Sequence, residues 1–140
     1  MDKKNLDASL IAIIEKKNQL AALSYDHKDY DKIEEEIHEM EDQFMESYGD
    51  FMEEALEAVH EKHCPDNDVL LPIAYLAHAY KKLGENPDGT PVYDVNPKEG
   101  VWVDVDKYPD KDTRLVLLPA PPRIILVVDG KTKEVVWEVK

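Results

Sequence analysis

The stretch YDKIEEEIHEMEDQFMESYGDFMEEALEAVHEKH, from Tyr30 to His63, decides the architecture, because it holds no proline and a single glycine, Gly49. Tyr30, Ile33, Ile37, Met40 and Phe44 recur at intervals of three and four, which places them on one face of an α-helix. The spacing then shifts to Tyr48, Met52, Ala55 or Leu56, and Val59, and this shift resembles a stutter near Gly49. Residues 31–63 carry thirteen acids and two bases, so one helix holds most of the negative charge. At about 1.5 Å per residue an unbroken helix over 30–63 would run for about 50 Å, beyond the width of a small domain. It is therefore expected to bend near Gly49, or to project or pair with another chain at one end.

Towards the N-terminus, Leu6, Leu10, Ile13, Lys17 and Leu20 repeat with heptad-like spacing, widened by Ile14 and Ala21, and predict a helix over 5–23. Residues 25–29 make a polar break in which Asp29 is a plausible N-cap. Two seams joined by a short break describe an antiparallel helical hairpin. Pro65 disfavours helical geometry at Cys64 and so ends the second helix. A third helix is expected over about 69–83, with Pro72 in its first turn, Leu71, Tyr75, His78 and Lys82 on one stripe, and Gly84 as C-cap.

Beyond Gly84 the character changes. Asn86-Pro87-Asp88-Gly89-Thr90-Pro91 is turn chemistry, and β-branched residues follow in short runs. Val101, Val103 and Val105 alternate with Trp102, Asp104 and Asp106 as a half-wet strand does. Leu115–Leu118 and Ile124–Val128 lack polar alternation and predict central strands covered on both faces. Residues 135–139 form the last strand, joined to the one before by an Asp129-Gly130 hairpin turn. Pro119-Ala120-Pro121-Pro122 is expected to be an extended bend. The predicted fold is one α+β domain over 1–140. A helical part, 1–84, packs on a mainly antiparallel four-stranded sheet in 85–140. An alternative places 1–63 outside the compact body as a dimerisation arm.

Of the 140 residues 43% are apolar, as in an ordinary folded chain, and disorder throughout is excluded. The net charge of -14 repels nucleic acid and anionic lipid, so neither is an expected partner. No run approaches the ~20 apolar residues of a membrane span, and no signal peptide is expected from the start of the sequence. The lone Cys64 allows no internal disulfide, which points to the cytoplasm. The five glycines match neither phosphate-binding pattern, and none of the three serines lies in a G-x-S-x-G elbow, which removes those nucleotide-enzyme and hydrolase classes.

The acidic face of 31–63, with Glu34, Glu35, Glu39, Asp42, Glu46 and Glu53, has almost no compensating lysine and would steer a basic protein towards it. Glu57, His60, His63 and Cys64 follow at helical spacing, and carboxylate, imidazole and thiolate are all ligands for a divalent transition metal. Glu35 and His38 repeat the Glu-x-x-His spacing of di-iron bundles, but the first helix offers only Glu15 as a further central ligand. Cys64 with His60 as base has the composition of a nucleophilic pair, against which stands the thiolate's position at a helix C-terminus. His78 is expected to be a core or boundary histidine. Asp66-Asn67-Asp68 reads as a turn, the carboxylates around Tyr108-Pro109 as a solvated loop, and the P-x-x-P at 119–122 as a structural corner.

The expected function is that of a small acidic cytoplasmic binding or regulatory protein, inhibitor-like or immunity-like, presenting helix 31–63 to a basic protein or to its own copy as a dimer. No cofactor and no catalysis belong to that reading. The alternatives are a metal-binding protein using Glu57, His60, His63 and Cys64, and a small enzyme with a pocket between the third helix and the sheet, lined by His78, Tyr75 and Tyr93.

Overall fold

Helix α2 runs unbroken from Tyr30 to His63 in a computed structural model that describes residues 1–140. It stays helical through Gly49, which is buried and marks where the inward stripe passes from Phe44 to Met52. Helix α1, Lys3–Ala21, packs along it as the expected hairpin, and the Asp2 carboxylate caps its first turn by accepting from the Lys4 and Asn5 amides. Ile33 and Ile37 are buried but stand apart from the main apolar cluster, so the first part of α2 is covered at the hairpin's end rather than by the sheet. The second part faces the rest of the chain, with Phe51 edge-on to Trp137 at 6.0 Å.

Six strands follow: β1 (Lys81–Glu85), β2 (Pro91–Asp94), β3 (Val101–Trp102), β4 (Thr113–Leu118), β5 (Arg123–Val128) and β6 (Thr132–Glu138). The last four form the expected antiparallel sheet in the order β3-β4-β5-β6. The register pairs Leu115 with Leu126, Leu117 with Ile124, and Ile124 with Trp137, which sets the helix-facing side. On the opposite side Leu118, Ile125 and Val135 share a depression with Leu83 and Tyr93 of the β1–β2 hairpin. Both faces of β4 and β5 are thus covered, as their uninterrupted apolar runs require. The β5–β6 connection, residues 129–131, places Asp129 at φ 51 and Gly130 at φ 67, and the Lys131 amide closes the turn on the Val128 carbonyl.

Three expectations are corrected. The third helix over 69–83 does not form. Only Pro72–Tyr75 turns, as a single 3-10 helix, and Lys81–Glu85 pairs with β2 instead, which moves the start of the β part forward from residue 85 to 81. The reason lies in where the amides go. Ala77 N–H donates to the Tyr80 hydroxyl, His78 N–H to the Glu99 carboxylate, and Tyr80 N–H to the Asn18 amide oxygen. Those side chains take the donors that a helix would use. Tyr75, Leu76 and Ala77 are all buried, and three consecutive buried residues cannot share one helical face. The turn chemistry at 86–91 closes the β1–β2 hairpin, with Asn86 and Thr90 bonded to each other and Asp88 accepting from Thr90.

Secondly, 119–122 is a tight reversal between paired strands rather than an extended bend. Ala120 lies at φ 64, the Ala120–Pro121 peptide is cis, and the Arg123 guanidinium donates to the carbonyls of Pro119 and Pro121. Thirdly, the strand expected over 101–105 is only two residues long, although Val103 N–H still reaches the Thr113 carbonyl.

Gly100 supplies a prediction. It lies at φ 97, and a Cβ there would stand 2.5 Å from Val116 Cγ2 and 2.6 Å from the Leu115 carbonyl oxygen, whereas Gly84 has open space. Gly100→Ala is expected to lower the unfolding free energy in urea by about 1–3 kcal/mol. Gly84→Ala should stay within about 0.5 kcal/mol of the parent; equal effects would contradict the packing described.

Candidate functional site

Along the outward side of α2, Glu35, Glu39, Asp42 and Glu46 are exposed at intervals of four, three and four, and Glu57 and Glu61 continue the series further on. Glu34 and Glu53 are half-buried beside it. Of the thirteen acids in residues 31–63, only Glu36 has an ion pair, with Lys16 of α1 at 2.6 Å, so twelve have none. The remaining ion pairs all lie in the β part or tie His78 to Glu99. The six expected acidic-face residues therefore share one helix and meet no lysine or arginine of their own chain. Repulsion at i,i+4 costs a helix a few tenths of a kcal/mol per pair, a cost that burial of the opposite stripe offsets.

The other candidate cluster is not assembled as a ligand set. His60 is 3% exposed and both its ring nitrogens are engaged, Nδ1 with the Asn67 carbonyl at 3.0 Å and Nε2 with the Tyr75 hydroxyl at 2.8 Å. The carbonyl can only accept, so Nδ1 carries the proton and Nε2 accepts from Tyr75. The same hydroxyl accepts from the Leu70 amide, which closes a structural network. Cys64 is fully buried, and burial, with Asp104 adding to it, pushes its thiol up to about 11, which disfavours the free thiolate that nucleophilic attack would use. Partial burial, reinforced by Lys62, holds the His63 imidazole below its ordinary range, while Glu57 points to solvent. No three His, Cys, Asp or Glu side chains of the chain stand where they would share one metal ion.

The residues proposed to line a pocket against a third helix are separated. His78 has a side chain 94% exposed, contrary to the core or boundary position expected of it, because its segment is extended and its amide and ring are drawn to Glu99. Tyr75 belongs to the His60 network. Tyr93 stacks edge-on with Tyr80 at 5.8 Å, and the Tyr80 hydroxyl donates to the Leu117 carbonyl. Burial raises the phenols of Tyr75, Tyr80 and Tyr93 alike. In the loop after β3, the Asp112 carboxylate is held below its usual range by the Arg114 guanidinium. Trp137 packs against α2, and Trp102 is 55% exposed on the edge strand.

Sequence reasoning missed one feature, an open groove of about 500 Å3 at the end of the hairpin, lined by Leu20, Leu23, Tyr25, Tyr30 and Ile37 with Glu34 and Glu41 among its walls. Leu20, Tyr30 and Ile37 read from the sequence as seam positions and Tyr25 as part of the polar break, with nothing to join them. No helix of the chain is long and apolar enough to cross a membrane. The chain matches no protein-family model, no curated protein and no solved structure.

Two outcomes follow from the buried groups. Tyr75→Phe leaves the Leu70 amide and His60 Nε2 without their partner and is expected to cost about 1–3 kcal/mol in chemical denaturation; no loss would show the network to be dispensable. The Cys64 thiol binds its proton more tightly folded, at about 11, than unfolded, at 9.0. Its contribution is therefore complete below pH 9 and is lost as pH rises towards 11. The stability of Cys64→Ala should accordingly fall less steeply than that of the parent between about pH 8.5 and 10, and parallel slopes would refute this.

Proposed function

We propose that this chain is a small, non-catalytic binding or regulatory protein that presents the outward stripe of α2 to a basic protein, in the manner of an inhibitor that masks a basic site. The supporting observation is the absence of any ion pair on twelve of the thirteen acids of residues 31–63, although residues 64–140 hold ten lysines and arginines. A field of one sign on one rigid element raises the encounter rate with a cationic surface and disfavours anionic competitors. A second copy that offered the same stripe would be repelled, which favours a basic partner over self-pairing through this face.

Immobilised poly-L-lysine serves as the test ligand. Binding is expected to weaken as ionic strength rises from about 0.05 to about 0.5 M, where the screening length shortens to a few ångström. Replacing Glu35, Glu39 and Glu46 by Gln and Asp42 by Asn should cost about tenfold in affinity, or about 1.4 kcal/mol. Replacing Asp66, Asp68, Asp106 and Asp110 by Asn changes the net charge equally and should cost threefold or less. Equal losses in the two variants would reduce the effect to total charge and overturn the assignment to α2.

A further inference from the structure

The hairpin's end is asymmetric. On one side Lys16 and Glu36 close the seam between α1 and α2 with an ion pair at 2.6 Å. On the other side the helices leave the groove of about 500 Å3, with Leu20 from α1 and Ile37 from α2 among its lining residues. Tyr25, on the connecting loop, is 84% exposed with its ring centroid 5.2 Å from that of Tyr30. A large aromatic side chain left in water beside a recess of mixed apolar and polar lining is the arrangement of a contact surface rather than of a finished core. A two-helix hairpin also leaves free, along its side, the seat that a further helix takes in a bundle.

The charge around the recess specifies the occupant. Glu34 and Glu41 lie on its α2 wall, Lys17 is the one lysine or arginine lining it, and His38 and His78 are its remaining titratable groups apart from the tyrosines. One residue further round the helix are Glu35 and Asp42 of the unpaired stripe. The last turn of α1 contains no basic residue, so no side chain of that turn offsets the negative end of its dipole. These features favour apolar groups in the recess and cations along its α2 rim.

We propose that the groove seats an amphipathic basic helical segment of another protein, with apolar side chains entering between Leu20 and Ile37 and lysines or arginines lying along Glu34 and Glu41. This rests on the reading of α2 as the face for a basic partner and adds what that partner must carry: leucine-like anchors at i, i+3, i+4 and i+7 on a cationic helix, the helix-in-groove mode of recognition.

The test measures fluorescence anisotropy of a labelled synthetic peptide of leucines at those positions with lysines elsewhere, against an oligolysine of equal charge. The patterned peptide is expected to bind at least tenfold more tightly than oligolysine. Tyr25→Ser with Leu23→Ser should abolish that surplus and leave oligolysine binding unchanged, while Glu34→Gln with Glu41→Gln weakens both. Tyr25→Ser alone, at a side chain exposed enough to be neutral for folding, should remove part of the surplus and guards against a folding defect in the double variant. Equal affinity for the two peptides, or a surplus untouched by the serine variants, overturns the groove while leaving the acidic stripe standing. Failure of oligolysine and patterned peptide alike overturns both.

Discussion

The inward stripe of α2 is divided between two neighbours. Its first part, Ile33 to Phe44, is covered chiefly by α1, and its second, Met52 to His60, lies against the sheet and the Pro72–Tyr75 turn. A helix with this excess of like charge is poorly supported by its own side-chain pairs, and most helical stability in a folded chain comes from packing of the apolar face. Neither neighbour covers the whole stripe. The hairpin and the sheet are therefore joined through α2, and the position of the acidic side follows from burial of the other.

Polar side chains make the junction specific. Asp7 accepts from the Ala120 amide and Asn18 from the Tyr80 amide, so α1 is bonded at two points to segments far away in sequence. His60, Tyr75 and Tyr80 satisfy amides and carbonyls of the irregular stretch between α2 and β1, and no buried side-chain nitrogen or oxygen lacks a partner. Such bonds are worth most when every member is satisfied, because an orphaned group in a buried site costs more than the bond returns. The price is paid locally: residues 69–80 surrender a helix that their composition permits.

That exchange explains what was legible in the sequence. Periodicity in α1 and α2 is a local property, and it placed both helices and the acidic stripe. The apolar runs at 115–118 and 124–128 and the Asp129-Gly130 pair are equally local and placed the sheet. The stretch from Val69 to Leu83 misled because Tyr75 and Tyr80 find their partners at His60, Leu117 and Asn18, and no spacing within the stretch reports those contacts. His60 was legible as a residue of chemical interest but not as the centre of a structural network, for the same reason. The groove at the hairpin's end was illegible because Leu20 and Ile37 occupy ordinary seam positions, and no spacing reports a recess between two helices.

Strand β6 forms one margin of the four-stranded sheet, and its outer backbone groups meet no further strand. Lys131, Lys133, Glu134, Glu138 and Lys140 lie along or beside it, and Lys133 is engaged by Asp94 of the overlying hairpin. At the other margin β3 offers only two residues. A short margin and a charged one are both poor templates for a neighbouring molecule's strand. Both margins thereby discourage growth of the sheet into fibrous aggregates even where the protein is crowded.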